Sequence, residues 1–383
     1  MGAVNLWISY RIRFFVDLLD SGSVLHLNFM PNIIVTGGAG FIGSNFVRHW
    51  LKQSQDGVIS VDKGTYAAAY DPEETVEGER YRPVAGDMSD RALIRQLLHQ
   101  HRPTSVVNFA AETHVDRSIL FPEEFVQANV VGTFNLLDEV RRYWEDLPGP
   151  EKDLFQFLQI STDEVYGSLL PDESPSDETK AAAPNSPYAA SKAAADQLVR
   201  AYYRTYGLPT TISRCSNNYG PYQHPEKLIP LMIHRALREE ALPIYGDGMQ
   251  VRDWLYVDDH CSALHTVIKL GRPGEVYNIS ARAERTNLEV VLAICALLDR
   301  EFPRRRGCYA DLVEHVADRP GHDRRYALDS SKVGELGWHA KESFESGLQK
   351  TVRWYVTNLE RVNAVANGGA YRTWSKVNYG QRR

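Results

Sequence analysis

Residues 32 to 53 read NIIVTGGAGFIGSNFVRHWLKQ. The run Asn32 to Thr36 predicts a short buried strand, and Phe46, Val47, Trp50 and Leu51 repeat at helical intervals. Between them stand Gly37, Gly40 and Gly43, with Phe41 and Ile42 inside the turn. Glycines let a backbone turn tightly and approach a pyrophosphate, and the helix that follows offers its first N–H groups to the phosphates. A Gly-rich loop alone is a weak sign; a strand before it and a helix after it are the context that gives it meaning. These five residues are therefore candidate dinucleotide contacts.

The strand–helix rhythm continues outward. GVISVD ends at Asp62, 19 residues beyond Gly43. A carboxylate there accepts hydrogen bonds from ribose hydroxyls and repels a 2′-phosphate, which favours NAD over NADP. Lys63 follows it. VAGDMSD (84–90) closes a third strand and puts Asp87 and Met88 where an adenine would be read. TSVVNFAAETHVDRS (104–118) closes a fourth, where the small Ala110 and Ala111 suit close approach of a ribose or pyrophosphate. FQFLQIST (155–162), whose apolar run ends at Ile160, reads as a fifth. The expected fold class is α/β, a Rossmann doubly wound parallel sheet with ligands at the carboxyl ends of its strands, plus a smaller C-terminal α/β substrate-binding domain.

That fifth strand runs into ISTDEVYG (160–167). Charges at the mouth of a core are costly unless paired, hydrated or used. Asp163 and Glu164 read either as a solvated strand end or as an acid and a base; their place in the cofactor crevice favours the second. PNSPYAASKAAADQLVRAYYRTYG (184–207) then puts Tyr188 and Lys192 four residues apart, on one helix face. A neighbouring ammonium is expected to lower the Tyr188 phenol from about 10 toward neutrality. Such a tyrosine removes a proton from an alcohol as hydride leaves it.

Composition sets the frame. The 383 residues carry 43% hydrophobic and 24% charged side chains and a formal net charge of −6, an ordinary globular balance that argues against nucleic-acid or membrane-surface binding. Cys215, Cys261, Cys295 and Cys308 form no CxxC pair and no zinc-spaced cluster with histidine, so no metal is expected and a reducing, cytoplasmic compartment is. No stretch has the apolar length of a membrane span. Residues 1–29 lack the h-region and cleavage site of a signal peptide; they are expected to be a non-functional extension, with the working chain starting near Met30.

TGGAGFIG, Asp62, AAETHVDRS and YAASK together resemble the extended short-chain dehydrogenase/reductase superfamily that acts on nucleotide sugars. Its epimerases usually lack paired acids at STDEVYG, and other dehydratases there carry Ser–Glu or Asp–Lys. Thr-Asp-Glu is similar to the dTDP-glucose 4,6-dehydratases. RCSNNYGPYQHPEKLIPLMI (214–233), LPIYGDGMQVRDWLYVDDH (242–260) and DRPGHDRRYALD (318–329) extend the likeness, while Thr113, Gly64 and the segment 67–76 depart from it. The resemblance implies bound NAD, a dTDP-sugar substrate, Thr162 on the sugar 4-hydroxyl, Asp163 as acid and Glu164 as base. It also implies a homodimer through the helix over 125–140 and the one bearing Tyr188.

A diphosphate needs local cations, for which arginine is suited. Arg252, Arg319 and Lys227 are the candidates, with Asn217, Asn287, His114, His322 and Leu228 beside them and Tyr245 against the base. The division expected is 30–215 for NAD and 216–383 mainly for the nucleotide sugar, with GEVYNIS (274–280) returning to the large sheet. The Pro- and Ser-rich loop 168–187 lies where a lid would, and 144–153 reads as a surface connection. Two rivals stand beside the dehydratase: another nucleotide-sugar enzyme such as an epimerase, which needs no C5 base, and a non-catalytic NAD-binding regulator, which needs no Tyr188–Lys192 and acid pair.

Overall fold

The computed structural model describes residues 31–66, 68 and 78–368. The expectations for 1–29, for a start at Met30 and for the departure over 67–76 fall outside them, wholly or nearly so. In chain order, β1 (Asn32–Thr36), α1 (Phe41–Gln53), β2 (Gly57–Asp62), β3 (Tyr81–Ala85), α2 (Arg91–His101) and β4 (Ser105–Asn108) are followed by α3 (Val115–Leu120) and α4 (Pro122–Phe125). A π-helical segment (Val126–Gly132) leads into α5 (Thr133–Glu145); α6 (Gly149–Leu154) precedes β5 (Gln156–Thr162). A 3₁₀ turn (Asp163–Tyr166) and a long loop lead to α7 (Pro187–Tyr206), β6 (Thr210–Cys215), β7 (Asn217–Tyr219) and α8 (Leu228–Leu237). Then come β8 (Leu242–Tyr245), β9 (Val251–Tyr256), α9 (Val257–Leu270), β10 (Val276–Ile279), β11 (Glu284–Thr286), α10 (Asn287–Glu301), β12 (Val313–Val316), α11 (Ser331–Gly334), α12 (Phe344–Thr357) and α13 (Leu359–Ala366).

Among the described residues, seven parallel strands make the main sheet, in the order β10-β6-β5-β4-β1-β2-β3. The order reverses between β1 and β4, where a doubly wound sheet opens its ligand crevice. Continuous apolar runs suit strands covered on both faces: Ile33, Val35, Val58 and Val107 face one cluster, Ile34, Ile59, Val106 and Phe157 the other. Two small sheets, β11-β9-β7 and β12-β8, carry a third cluster with α8, α10 and α12. β10 pairs with β6, so GEVYNIS does return to the large sheet.

β5 reaches Thr162 as FQFLQIST suggests, while three other details differ from the sequence expectation. All seven residues of β5 are buried although four are polar. Burial is tolerated because side chains pair across strands: Thr36 Oγ1 donates to Asn108 Oδ1 (2.5 Å) and Asn108 Nδ2 to Gln159 Oε1 (2.8 Å), a ladder across β1, β4 and β5. The stretch 125–140 is not one α-helix; the π turns inside it place Asn129 so that it bonds the Glu112 backbone and Ser191 on α7. The connection 144–153 contains α6. The loop 168–187 is tied down rather than free: Leu169 N–H donates to Arg325 O, Ser176 N–H to Ala327 O and Asp329 N–H back to Ser176 O.

Candidate active site

The crevice holds a cavity of about 290 Å³ at the carboxyl ends of the strands. Gly37, Gly40, Phe41, Ile42 and Gly43 line one end, with Asp62, Lys63, Asp87 and Met88 beside them; Ala110 and Ala111 follow, and Thr162, Asp163, Glu164, Tyr188, Lys192, Asn217 and Lys227 line the rest. α1 starts after Gly40 with no side-chain cap, leaving its first N–H groups for a ligand. A Cβ at Gly43 would meet the Gly37 carbonyl oxygen at 2.2 Å, so close packing of helix against turn requires glycine there. Asp62 is fixed by the N–H groups of Ala39 (3.1 Å) and Gly64 (2.9 Å).

The acid turn sits where β5 ends. Thr162 caps it, accepting the Glu164 N–H (3.3 Å) and donating to Asp163 Oδ1 (3.1 Å); the buried Asp163 Oδ2 has no hydrogen-bond partner among the described residues. Gly167 ends the turn at φ +77, a conformation side chains disfavour. Burial pushes Asp163 well above the usual carboxylate range, reinforced by the Glu164 and Asp253 charges. Burial raises Glu164 too, but Arg319, Arg252 and Lys227 oppose the rise. Both carboxyls are thus raised, and the cations beside Glu164 favour its charged form, an asymmetry that suits one donor beside one acceptor.

α7 is capped by Ser186, whose Oγ accepts the Ala189 N–H (3.1 Å), and presents Tyr188 and Lys192 to the cavity. The expected lowering of Tyr188 is opposed by its burial. Burial raises the phenol well above its ordinary value, with Glu164 adding to it, while the Lys192 ammonium donates to Ile160 O (2.7 Å). Lys192 is itself lowered by burial, against the pull of Asp196.

The remaining predicted residues lie off the cavity lining. Arg319 donates to Asp116 (3.2 Å), as does Tyr245 (3.2 Å), so Asp116 joins the two. Burial works against the Arg319 charge, but Asp116 and Glu164 hold it above its ordinary value. Arg252 is buried, donates to Val251 O and Asp323 O, and lies over the Tyr326 ring. His322 bonds Asp318 (2.6 Å) and is lowered to about 4 by burial and by Arg319 and Arg252. His114 is buried near Glu226 (4.0 Å); Leu228 and Asn287 open α8 and α10. Sequence reasoning missed Glu112, His224, Glu226 and Cys215, all on the cavity wall. Glu226 stands next to the candidate Lys227, and an acid beside an expected phosphate ligand was the available signal.

The family model described as GDP-mannose 4,6 dehydratase matches residues 34–351. The dTDP-glucose 4,6-dehydratase 1 of Escherichia coli (strain K12) is 52% identical over 357 residues, covering 91% of this chain and 98% of its own. The dTDP-glucose 4,6-dehydratase of Xanthomonas campestris pv. campestris (strain B100) is 54% identical over 346 residues, covering 90% and 98%. A crystal structure of a dTDP-glucose 4,6-dehydratase from Streptomyces venezuelae, solved with NAD bound, superposes with TM-score 0.78 at 43% identity over 87% of this chain and 99% of that one. Shared over nearly the full length of such relatives, the sequence and the fold agree that the chain belongs to the dTDP-glucose 4,6-dehydratase family.

Proposed function

We propose that this protein converts dTDP-glucose to dTDP-4-keto-6-deoxyglucose with NAD as a resident cofactor. The observation that carries it is one cavity lined at once by the Gly37–Gly43 turn, by Tyr188 and Lys192, and by the neighbouring acids Asp163 and Glu164. NAD fits these residues: the Gly43 contact leaves room only for backbone against the turn, α1 has uncapped N–H groups, and Asp62 is held at the cavity edge. Bound NAD supplies the acceptor for the C4 hydride, the donor that returns it at C6, and a positive charge that favours the phenolate.

The chain's own groups move the protons. Tyr188 takes the 4-hydroxyl proton, with Thr162 hydrogen-bonded to that hydroxyl and Lys192 fixing the strand end. The resulting ketone acidifies C5–H, which Glu164 removes; Asp163 gives its proton to the departing 6-hydroxyl, and water leaves. Glu164 then returns a proton to C5. Arg252, Arg319 and Lys227, gathered around Glu164, are the cations for the diphosphate, with Asn217, Asn287, His114, His322, Leu228 and Tyr245 around the sugar and base. In this reading residues 30–215 hold the cofactor and 216–383 mainly the nucleotide sugar.

Incubating purified protein with dTDP-glucose in D₂O and no added cofactor tests this by mass spectrometry. Loss of one water with deuterium at C5 is expected; no reaction, even with NAD supplied, would overturn it. Gly43→Ala is expected to cost about 2 kcal/mol by overpacking and to lower the NAD retained on purification, read by thermal melting and by the 260/280 nm ratio.

The protein acts as a cytoplasmic homodimer in this reading. No helix among the described residues is long and apolar enough to cross a membrane. Phe121, Val126, Val131 and Phe134 are exposed along the α3–α5 stretch, and Tyr206 at the end of α7, an apolar surface suited to pairing. Sedimentation should return twice the chain mass, and Phe134→Glu should shift it toward the monomer.

A further inference from the structure

Behind the acid turn, reaching the cavity lining only at Ser161, lies a buried charged network that the chemistry above does not use. Arg214 on β6 donates through Nε to Asp196 Oδ2 (2.9 Å), and Ser161 Oγ donates to the same oxygen (3.0 Å). Ser161 and Arg214 are register partners across β5 and β6. The guanidinium also lies over the Tyr166 ring, 4.7 Å from its centroid, and the Tyr166 hydroxyl bonds Asn278 on β10 (2.9 Å). All five side chains are buried. Ser161 comes just before Thr162-Asp163-Glu164 and Tyr166 just after, so one guanidinium brackets the turn from both sides. Asp196 is one helical turn beyond Lys192, whose ammonium holds Ile160 O. The strand end is thus stitched to the catalytic helix at residues 160 and 161 together.

A buried ion pair is weak evidence for stability, because desolvation offsets its attraction; its value here is geometric. We infer that Arg214, through Asp196–Ser161 on one side and Tyr166 on the other, is a positioning residue that sets the acid turn for water elimination rather than for C4 oxidation. The inference rests on Asp163 and Glu164 being the elimination groups.

Arg214→Lys tests it, since the ammonium keeps a charge for Asp196 but cannot lie flat over Tyr166 while reaching that carboxylate. The expected result is a kcat lowered about 10- to 100-fold, as for a small misplacement of reacting groups. KM should change less than about threefold, reduced cofactor should build up at 340 nm during turnover, and amide hydrogen exchange over 163–167 should be faster. Turnover within about twofold of the parent, or slowing with neither reduced-cofactor build-up nor faster exchange, would overturn it. If Arg214→Lys does not fold, Ser161→Ala decides: a smaller loss with the same build-up supports the inference, and parental turnover overturns it. A parent protein that itself fails to dehydrate dTDP-glucose points instead to failure of the functional reading, while the exchange readout still reports on the bracket.

Discussion

Glu164→Gln is expected to halt water loss while leaving C4 oxidation in place. Glutamine keeps the shape of the side chain but cannot take up the C5 proton, and removal of a positioned base lowers kcat by roughly 10³-fold. The parent carboxylate sits among Arg319, Arg252 and Lys227, so losing its charge leaves those cations freer for an anionic ligand, and KM for dTDP-glucose should not rise. Two measurements check this. Absorbance at 340 nm should reveal reduced cofactor on adding substrate, and mass spectrometry in D₂O should find no deuterium at C5. Deuterium entering C5 at the parent's rate would show that another group is the base.

Tyr188→Phe blocks the step before. No reduced cofactor and no product should appear, with kcat down by roughly 10²- to 10⁴-fold. The ring keeps its edge contact with Phe125, 6.3 Å between centroids, so the melting temperature should barely move. The parent's pH profile tests the same assignment. Tyr188 must lose its proton to act, and burial and Glu164 raise its pKa, so the rate of C4 oxidation should climb with pH. Asp163 must keep its proton to act; burial raises its pKa, so elimination should persist well above the ordinary carboxylate range and fall once that proton is lost. Glu164 must be ionised, and its pKa is also raised by burial, so the acid limb should lie above the usual glutamate value. A Tyr188→Phe protein that oxidises at the parent's rate would remove the phenol from the mechanism.

The legible part of the protein was local. Gly37 to Gly43, Asp163-Glu164 and the Tyr188–Lys192 spacing each announce themselves within a few residues, because backbone approach, charge at a strand end and helical period act over that range. What lay hidden depends on distant partners. Asp196 and Arg214 read as helix and strand charges until the sheet places both beside Ser161. Asp116 gains its meaning from Arg319, 203 residues away. Thr36, Asn108 and Gln159 read as polar interruptions of apolar strands and prove to be a ladder. Around the Tyr188 phenol, the spacing shows that an ammonium is near; that Ile160 O is its partner and that burial opposes the phenolate appear only in the fold.

The edge strand β10 has a practical consequence. It comes from residues 276–279, yet it completes the sheet that begins at residue 32, and its Asn278 receives the Tyr166 hydroxyl. A fragment cut at residue 215 would leave the outer side of β6 unpaired, a row of backbone donors and acceptors open to another chain. Such a fragment should aggregate rather than serve as a portable cofactor-binding module. On the ribosome, the sheet stays unfinished until more than 60 further residues have followed β6 out of the exit tunnel, so the nascent chain needs shielding through that interval.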